Sequence, residues 1–163
     1  MKYAKIEKNS IANGLGIRVV LWCQGCRINC KGCHNPQTHS FEDGHIFNAE
    51  AVMKICNELK KPYIAGLTLS GGHPLEPENI KECTALCRYI KQKYPTKNIW
   101  LYTGWVWEDI KDLEIMKYID VLVDGQYIEE KRNISLPFCG SENQRIIDVK
   151  KSLNDKSLVL LSF

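Results

Sequence analysis

The stretch IAGLTLSGGHPLEPENIKECTALCRYI, residues 64–90, decides the fold class. It opens with an apolar run, residues 64–70, that is typical of a buried strand, and a glycine pair ends that strand. Pro77 then suits the first turn of a helix, where its missing N–H would have no partner anyway. The helix presents one apolar stripe, made of Ile80, Cys83, Leu86, Cys87 and Ile90. The stretch therefore predicts a strand, a turn and a helix.

The same alternation extends on both sides of this unit. We predict further strands over residues 17–22, 98–103 and 120–123, with residues 145–149 as one more candidate. Asn48 can cap a helix that ends before Pro62, and residues 108–118 predict another helix. Apolar strands that alternate with helices imply a parallel sheet, so the fold class is α/β.

Ligands of such sheets lie at the carboxyl ends of the strands. The segments that follow the predicted strands should therefore gather at one edge, including Gly71-Gly72, Thr103-Gly104 and Asp124-Gly125. Asp124 could contact a ligand there or cap a turn, and the sequence leaves both possibilities open. The loop of residues 23–43 also follows a strand and joins the same edge.

Length and composition indicate a single domain over residues 1–163, with a core at about 11–149 and a peripheral tail at 150–163. The chain has 44% apolar residues and a formal net charge of +3, which is too mild to indicate nucleic-acid binding. Neither a signal peptide nor a membrane span is apparent, so we expect no membrane partner and a cytoplasmic location. In that reducing compartment, the eight cysteines should be thiols or metal ligands rather than disulfides.

Cys26, Cys30 and Cys33 stand in the spacing Cys-x3-Cys-x2-Cys within the loop. Three thiolates this close can each bind one iron of a cubane cluster, since thiolate is the usual ligand of such clusters. The fourth iron would then have no protein ligand. An open coordination site of this kind lets a substrate reach the metal.

A closed site that also uses Cys23 is the structural alternative. Zinc ribbons usually separate their two Cys-x2-Cys halves by roughly 12 or more residues, whereas three residues intervene here. The bacterial ferredoxin spacing is not matched either. Cys23 ends an apolar strand, so we expect it to be a buried thiol, like Cys56, Cys83 and Cys87 on the apolar stripes of the predicted helices.

The cysteine spacing, followed by the ring of His34, resembles the signature of the radical S-adenosylmethionine superfamily. Further blocks resemble one branch of it, the activating proteins of anaerobic ribonucleoside-triphosphate reductases. These blocks are NGLGIR (13–18), TLSGGHP (68–74), WLYTG (100–104), VLVDG (121–125) and GSENQR (140–145). The resemblance covers roughly residues 11–149, and it implies a single-domain partial parallel (β/α) barrel.

The resemblance implies a 4Fe-4S cluster on Cys26, Cys30 and Cys33 whose free iron binds S-adenosylmethionine. Reductive cleavage would give methionine and a 5′-deoxyadenosyl radical, which makes a glycyl radical on the large subunit of the reductase. By the same resemblance, Gly32, Cys33 and His34 lie beside the adenosyl group, and Gly72 lies against the methionine end. The implied electron donor is a protein such as flavodoxin or ferredoxin; no acid or base residue is implied in catalysis.

Three residues depart from the pattern of that branch. His73 replaces a usual acidic residue, Leu15 a usual proline, and Cys139 a usual arginine. Two other functions remain open from the sequence: an activating enzyme for another glycyl-radical enzyme of the formate acetyltransferase type, and a non-catalytic iron–sulfur or zinc module. A small-molecule modifier is disfavoured, because a partial barrel leaves the radical end open for a protein substrate.

Overall fold

The computed structural model describes all 163 residues and contains one seven-stranded sheet. The spatial order of the strands is β3-β1-β2-β4-β5-β6-β7. The strands are β1 (Lys2–Ser10), β2 (Ile17–Cys23), β3 (His45–Ile46), β4 (Ile64–Gly71), β5 (Asn98–Tyr102), β6 (Val121–Asp124) and β7 (Arg145–Asp148). The α-helices are α1 (Ala49–Leu59), α2 (Ile80–Lys93), α3 (Trp107–Ile110) and α4 (Val149–Asp155).

The predicted α/β class is confirmed. Strands β2, β4, β5 and β6 are parallel and form the centre of the sheet, while β1, β3 and β7 add antiparallel edges. The sheet does not close on itself, as expected of a partial barrel. None of the helices is long and apolar enough to cross a membrane.

One hydrophobic core of 26 buried residues joins the helices to the sheet. Ile99 and Leu101 of β5 belong to this core, whereas Trp100 between them packs with Val123 and Ile146 in a second, smaller cluster. Side chains alternate between the two faces of a strand, so the two clusters lie on opposite faces of the sheet. Helix α1 begins as predicted, because Asn48 Oδ1 accepts a hydrogen bond of 3.1 Å from the Ala51 N–H.

The predicted helix over residues 108–118 is wrong in its continuity. Helix α3 ends at Ile110, and a separate 3₁₀ turn covers Glu114–Tyr118. Ile110 and Ile115 are both buried, but five residues of a continuous α-helix would place them roughly 140° apart. The break lets both side chains face the same core. Helix α2 also begins later than predicted, at Ile80 rather than at Pro77.

Both ends of the chain contribute more to the sheet than the sequence indicated. Strand β1 was not predicted, because its side chains are mostly polar and partly exposed. The segment predicted as a peripheral tail contains α4 and then returns to the sheet. There Leu160 bridges Ile147, and the Leu161 N–H donates to the Ile146 carbonyl at 2.8 Å.

Candidate functional site

The carboxyl ends of the parallel strands open onto a cavity of about 500 Å³. Gly72 lines it after β4, Thr103 and Gly104 after β5, and Gly125 after β6, so the predicted gathering of strand ends is present. The side chains around the cavity include no Asp, Glu, Lys or Arg. The site is therefore an open cavity with a wall that carries no permanent charge.

The three cysteines of the Cys-x3-Cys-x2-Cys sequence all line this cavity. Cys26, Cys30 and Cys33 are each partly exposed, and the Cys33 N–H donates to the Cys30 carbonyl at 3.1 Å. The start of their loop is fixed by a hydrogen bond of 3.0 Å from the Cys26 N–H to the His39 carbonyl. The loop thus presents three sulfur atoms to one space.

These sulfur atoms fit an iron–sulfur cluster better than a single metal ion. No three His, Cys, Asp or Glu side chains in the structure converge closely enough to hold one ion. A cubane does not require such convergence, because each thiolate binds a different iron. Burial raises the pKa of the Cys26 thiol, with backbone hydrogen bonds opposing.

Cys23 is separated from this group. It has no exposed surface, does not line the cavity, and its Sγ lies 3.8 Å from that of Cys83 on α2. A closed four-cysteine site would require the end of β2 to leave the core. None of the eight cysteines forms a disulfide, and Cys56 and Cys87 are buried, as predicted.

Cys139 is the remaining cysteine at the cavity. It is partly exposed, and burial together with the charge of Asp124 raises the pKa of its thiol to about 11. A neutral thiol therefore lies at the position where the branch that this sequence resembles usually has an arginine. This wall offers no positive charge.

Gly32 and His34 lie where the cysteine loop meets the segment after β6. Gly32 has a φ of +70°, a conformation that favours glycine, and a Cβ added there would lie 1.8 Å from Glu129 Oε2, so the Glu129 side chain would have to move. The rings of His34 and Tyr127 are 5.2 Å apart and tilted by 44°, and both line the cavity. Together they form a small aromatic wall beside Cys33.

Gly72 allows the cysteine loop to approach β4. A Cβ at this position would lie 2.6 Å from the Gly25 carbonyl oxygen and 2.8 Å from that of Thr38. The Gly72 N–H donates to the Cys23 carbonyl at 2.8 Å. Only a glycine leaves room for both of these main-chain carbonyl groups.

His73 is 1% exposed and lies between Thr103 and Glu76. Its Nε2 lies 2.7 Å from Thr103 Oγ1, and that oxygen already accepts a hydrogen bond from the Trp105 N–H at 3.1 Å. Its Nδ1 lies 3.5 Å from Glu76 Oε1 and has no hydrogen-bond partner. Burial lowers the pKa of His73, with Glu76 opposing, so the ring adds no charge to the cavity wall at neutral pH.

Asp124 does not line the cavity, so of its two predicted roles, contact with a ligand and capping, the structure supports capping. Its carboxylate is fully buried and accepts a hydrogen bond of 2.7 Å from the Trp107 N–H at the start of α3. Arg145 Nε donates to the other oxygen at 3.0 Å. Asp124 therefore joins α3 to the β6–β7 pair.

Sequence reasoning missed Tyr127 and Glu76. Tyr127 follows the VLVDG block, but nothing in the local pattern indicates its contact with His34. Glu76 lies in the turn before α2 and contacts the cysteine loop from outside the cavity. Both contacts join residues far apart in the chain, so no local pattern reveals them.

Comparison with known proteins agrees with this geometry. Residues 12–147 match the family described as a 4Fe-4S single cluster domain. The chain is 43% identical over 146 residues to the anaerobic ribonucleoside-triphosphate reductase-activating protein of Enterobacteria phage T4, covering 90% of this chain and 93% of that protein. Proteins of the same description from Vibrio cholerae and Haemophilus influenzae are 39% and 38% identical over 150 residues, covering 90% of this chain and 97% of each.

Proposed function

The chain belongs to the family of anaerobic ribonucleoside-triphosphate reductase-activating proteins, and we propose that it is a radical S-adenosylmethionine enzyme that generates the glycyl radical of that reductase. The observation that carries the proposal is the placement of the cysteines. Cys26, Cys30 and Cys33 line one open cavity at the strand ends, while Cys23 is buried against Cys83. Three ligands hold a 4Fe-4S cluster and leave one iron open.

The cluster and S-adenosylmethionine supply the chemistry. A 4Fe-4S cluster held by Cys26, Cys30 and Cys33 would supply one electron for the reductive cleavage of S-adenosylmethionine to methionine and a 5′-deoxyadenosyl radical, which would leave as 5′-deoxyadenosine after taking a hydrogen atom from a glycine of the reductase. The protein holds Cys26, Cys30 and Cys33 on a loop fixed to the main chain of residues 38 and 39. No side chain acts as a general acid or base.

The remaining cavity residues bind and orient the substrate in this proposal. His34 and Tyr127 border the adenine, for which a flat aromatic wall is suitable. Cys33 lies beside the adenosyl group and Gly72 against the methionine end; Gly32, also expected beside the adenosyl group, directly precedes Cys33 but does not itself line the cavity. Because no carboxylate lines the cavity and His73 is neutral, an ammonium form of the substrate amino group would donate to main-chain carbonyls, and its unprotonated form would bind the open iron; neither form would meet an acidic side chain.

The open sheet supports a protein substrate. The cavity is open and the sheet does not close into a barrel, so the large subunit of the reductase would supply a further wall when its glycine segment enters. The electron comes from a donor protein such as flavodoxin or ferredoxin. Cluster chemistry and eight free thiols require a reducing compartment, so we place the protein in the cytoplasm.

The experiment uses anaerobically reconstituted protein and measures 5′-deoxyadenosine released from S-adenosylmethionine after reduction. We expect Cys26→Ala, Cys30→Ala and Cys33→Ala each to abolish the product, and Cys23→Ala to retain it because Cys23 is not a ligand. Adding the reductase should give a glycyl doublet in electron paramagnetic resonance. Product formation by any of the first three variants would contradict the ligand assignment; a doublet on a formate acetyltransferase instead of the reductase would change the partner.

A further inference from the structure

A buried carboxylate outside the cavity holds the cysteine loop. Glu76 is 3% exposed, and its Oε1 accepts a hydrogen bond of 2.8 Å from the main-chain N–H of Arg27. Its Oε2 accepts a second bond, of 2.6 Å, from Arg27 Nη1. Arg27 directly follows Cys26, so both bonds act on the chain beside the first proposed cluster ligand.

The turn that carries Glu76 is itself firmly held. The Asn79 and Ile80 N–H groups donate to the Glu76 carbonyl at 2.8 and 2.9 Å at the start of α2. Asn79 Nδ2 donates to the carbonyls of Gln24 and His73, at 2.9 and 3.0 Å. Glu76 therefore connects the loop to a rigid part of the fold, and burying its charge is tolerated because Arg27 pairs with it.

Glu78 provides an internal comparison. It also binds the Arg27 guanidinium, through a bond of 2.8 Å to Nη1 and a second bond to Nη2, but its side chain is 45% exposed. Hydrogen bonds with Glu78 and Glu76 raise the pKa of Arg27, and Arg27 lowers that of Glu78 to about 2. The guanidinium also lies 4.2 Å from the ring centre of Phe41.

The two carboxylates differ in one respect. The Arg27 side chain has three partners, namely Glu76, Glu78 and the Phe41 ring, and it retains two of them if either carboxylate is lost. The main-chain N–H of Arg27 has only Glu76. Of the two carboxylates, only Glu76 therefore holds main chain next to Cys26, on the side opposite the bond from the Cys26 N–H to the His39 carbonyl.

We propose that Glu76 is a positioning residue for the iron–sulfur cluster: its buried carboxylate holds the main chain at Arg27 and so directs the Cys26 sulfur into the cavity. This inference rests on the proposed function, because it takes Cys26 as a cluster ligand. Groups that orient metal ligands affect metal affinity without touching the metal. Loss of Glu76 therefore weakens the bond between Cys26 and its iron while the fold remains.

The test compares Glu76→Ala and the equal-sized Glu76→Gln with Glu78→Ala and Glu78→Gln. The first readout is amide hydrogen exchange of the peptide over residues 24–34 in metal-free protein, with far-ultraviolet circular dichroism as the check on folding. We expect faster exchange in Glu76→Ala, because the Arg27 N–H loses its acceptor. Glu78→Ala should match the wild type.

The second readout is the iron and sulfide content after anaerobic reconstitution, followed by the rate at which a chelator removes the iron. We expect Glu76→Ala to lose iron about 10-fold to 100-fold faster than wild type, Glu76→Gln to be intermediate, and both Glu78 variants to be unchanged. If Glu76→Ala and Glu78→Ala agree in both readouts while the wild type holds its cluster, the inference is wrong and the proposed function stands. A wild type that assembles no cluster would overturn both.

Discussion

Arg18 lies within the sheet with no exposed surface, and all of its bonds are internal. Its Nε donates to Thr68 Oγ1 at 2.7 Å, Nη1 donates to Asn98 Oδ1 at 2.7 Å, and Nη2 donates to the Leu67 carbonyl at 2.8 Å. Burial lowers the pKa of Arg18 to about 10, so it stays charged at neutral pH. One side chain of β2 thus ties together β4 and β5, the strands whose ends form the cavity.

Replacing Arg18 should destabilise the whole sheet. Arg18→Met keeps much of the volume but leaves buried hydroxyl, amide and carbonyl groups without a donor, so we expect a loss of about 3 kcal/mol in the free energy of unfolding. Urea unfolding of the metal-free protein measures it. The control is Arg88→Met, which removes an exposed pair with Glu114 and should cost about 0–1 kcal/mol. Equal losses in the two variants would contradict the role of Arg18.

His73 predicts a pH dependence of stability. Its pKa in the folded protein is below the ordinary 6.5 because of burial, so below pH 6.5 the unfolded chain binds a proton that the folded chain does not. The free energy of unfolding should therefore fall as the pH falls from 6.5 towards 5, by at most about 1.4 kcal/mol per pH unit from this group. Glu58, Glu108 and Asp120, whose pKa values are lowered in the fold, lose their contribution only below about pH 4.5.

The variant that isolates this effect is His73→Gln, which can still bond to Thr103. Thermal unfolding of metal-free protein between pH 5 and 7 should show a shallower decline for the variant than for the wild type. The same slope in both proteins would mean that His73 is not held neutral by its site.

At the scale of elements, local signals predicted some features and missed others. Helix α1 was predictable because its cap and its apolar stripe are both encoded within residues 48–59. Strand β1 was not, because it is stabilised by pairing with β2 rather than by an apolar pattern. The break after α3 depends on which side chains the core can accept, and that information is not local.

The candidate site also contains some features that the sequence predicted and others that it did not. The spacing of Cys26, Cys30 and Cys33 identified the loop, and Gly72 was identified by its block. The contact of Glu76 with Arg27 spans 49 positions, so only the fold brings the two residues together. Such long-range positioning contacts could not be predicted from spacing.

The turn between β4 and α2 depends on one amide. Asn79 is 1% exposed and donates to carbonyls at the ends of both β2 and β4. Asn79→Asp keeps the shape but removes the donor, so we expect a loss of about 3 kcal/mol in the free energy of unfolding. Asn57→Asp, on the exposed face of α1, should change it by less than about 0.5 kcal/mol. Urea unfolding of both variants measures these losses. An Asn79→Asp variant as stable as Asn57→Asp would contradict this account.

At the scale of the whole molecule, the parallel strands place an uncharged, open cavity at one edge of an incomplete barrel. The helices close one face of the sheet with a continuous core, so the cavity edge can stay open without loss of the fold. In the proposed function, a protein substrate covers the cavity during the reaction. The buried thiols Cys23, Cys56, Cys83 and Cys87 belong to that core and lie apart from the three cysteines of the loop.

Electron paramagnetic resonance of the reduced wild-type protein, recorded without oxygen and with or without S-adenosylmethionine, tests the central claim most directly. We predict the signal of a reduced cubane, with about four irons per chain, and a clear change of that signal when S-adenosylmethionine occupies the iron that no cysteine holds. A protein that binds about one zinc and no iron would contradict the account, as would a cluster whose signal is the same with and without S-adenosylmethionine.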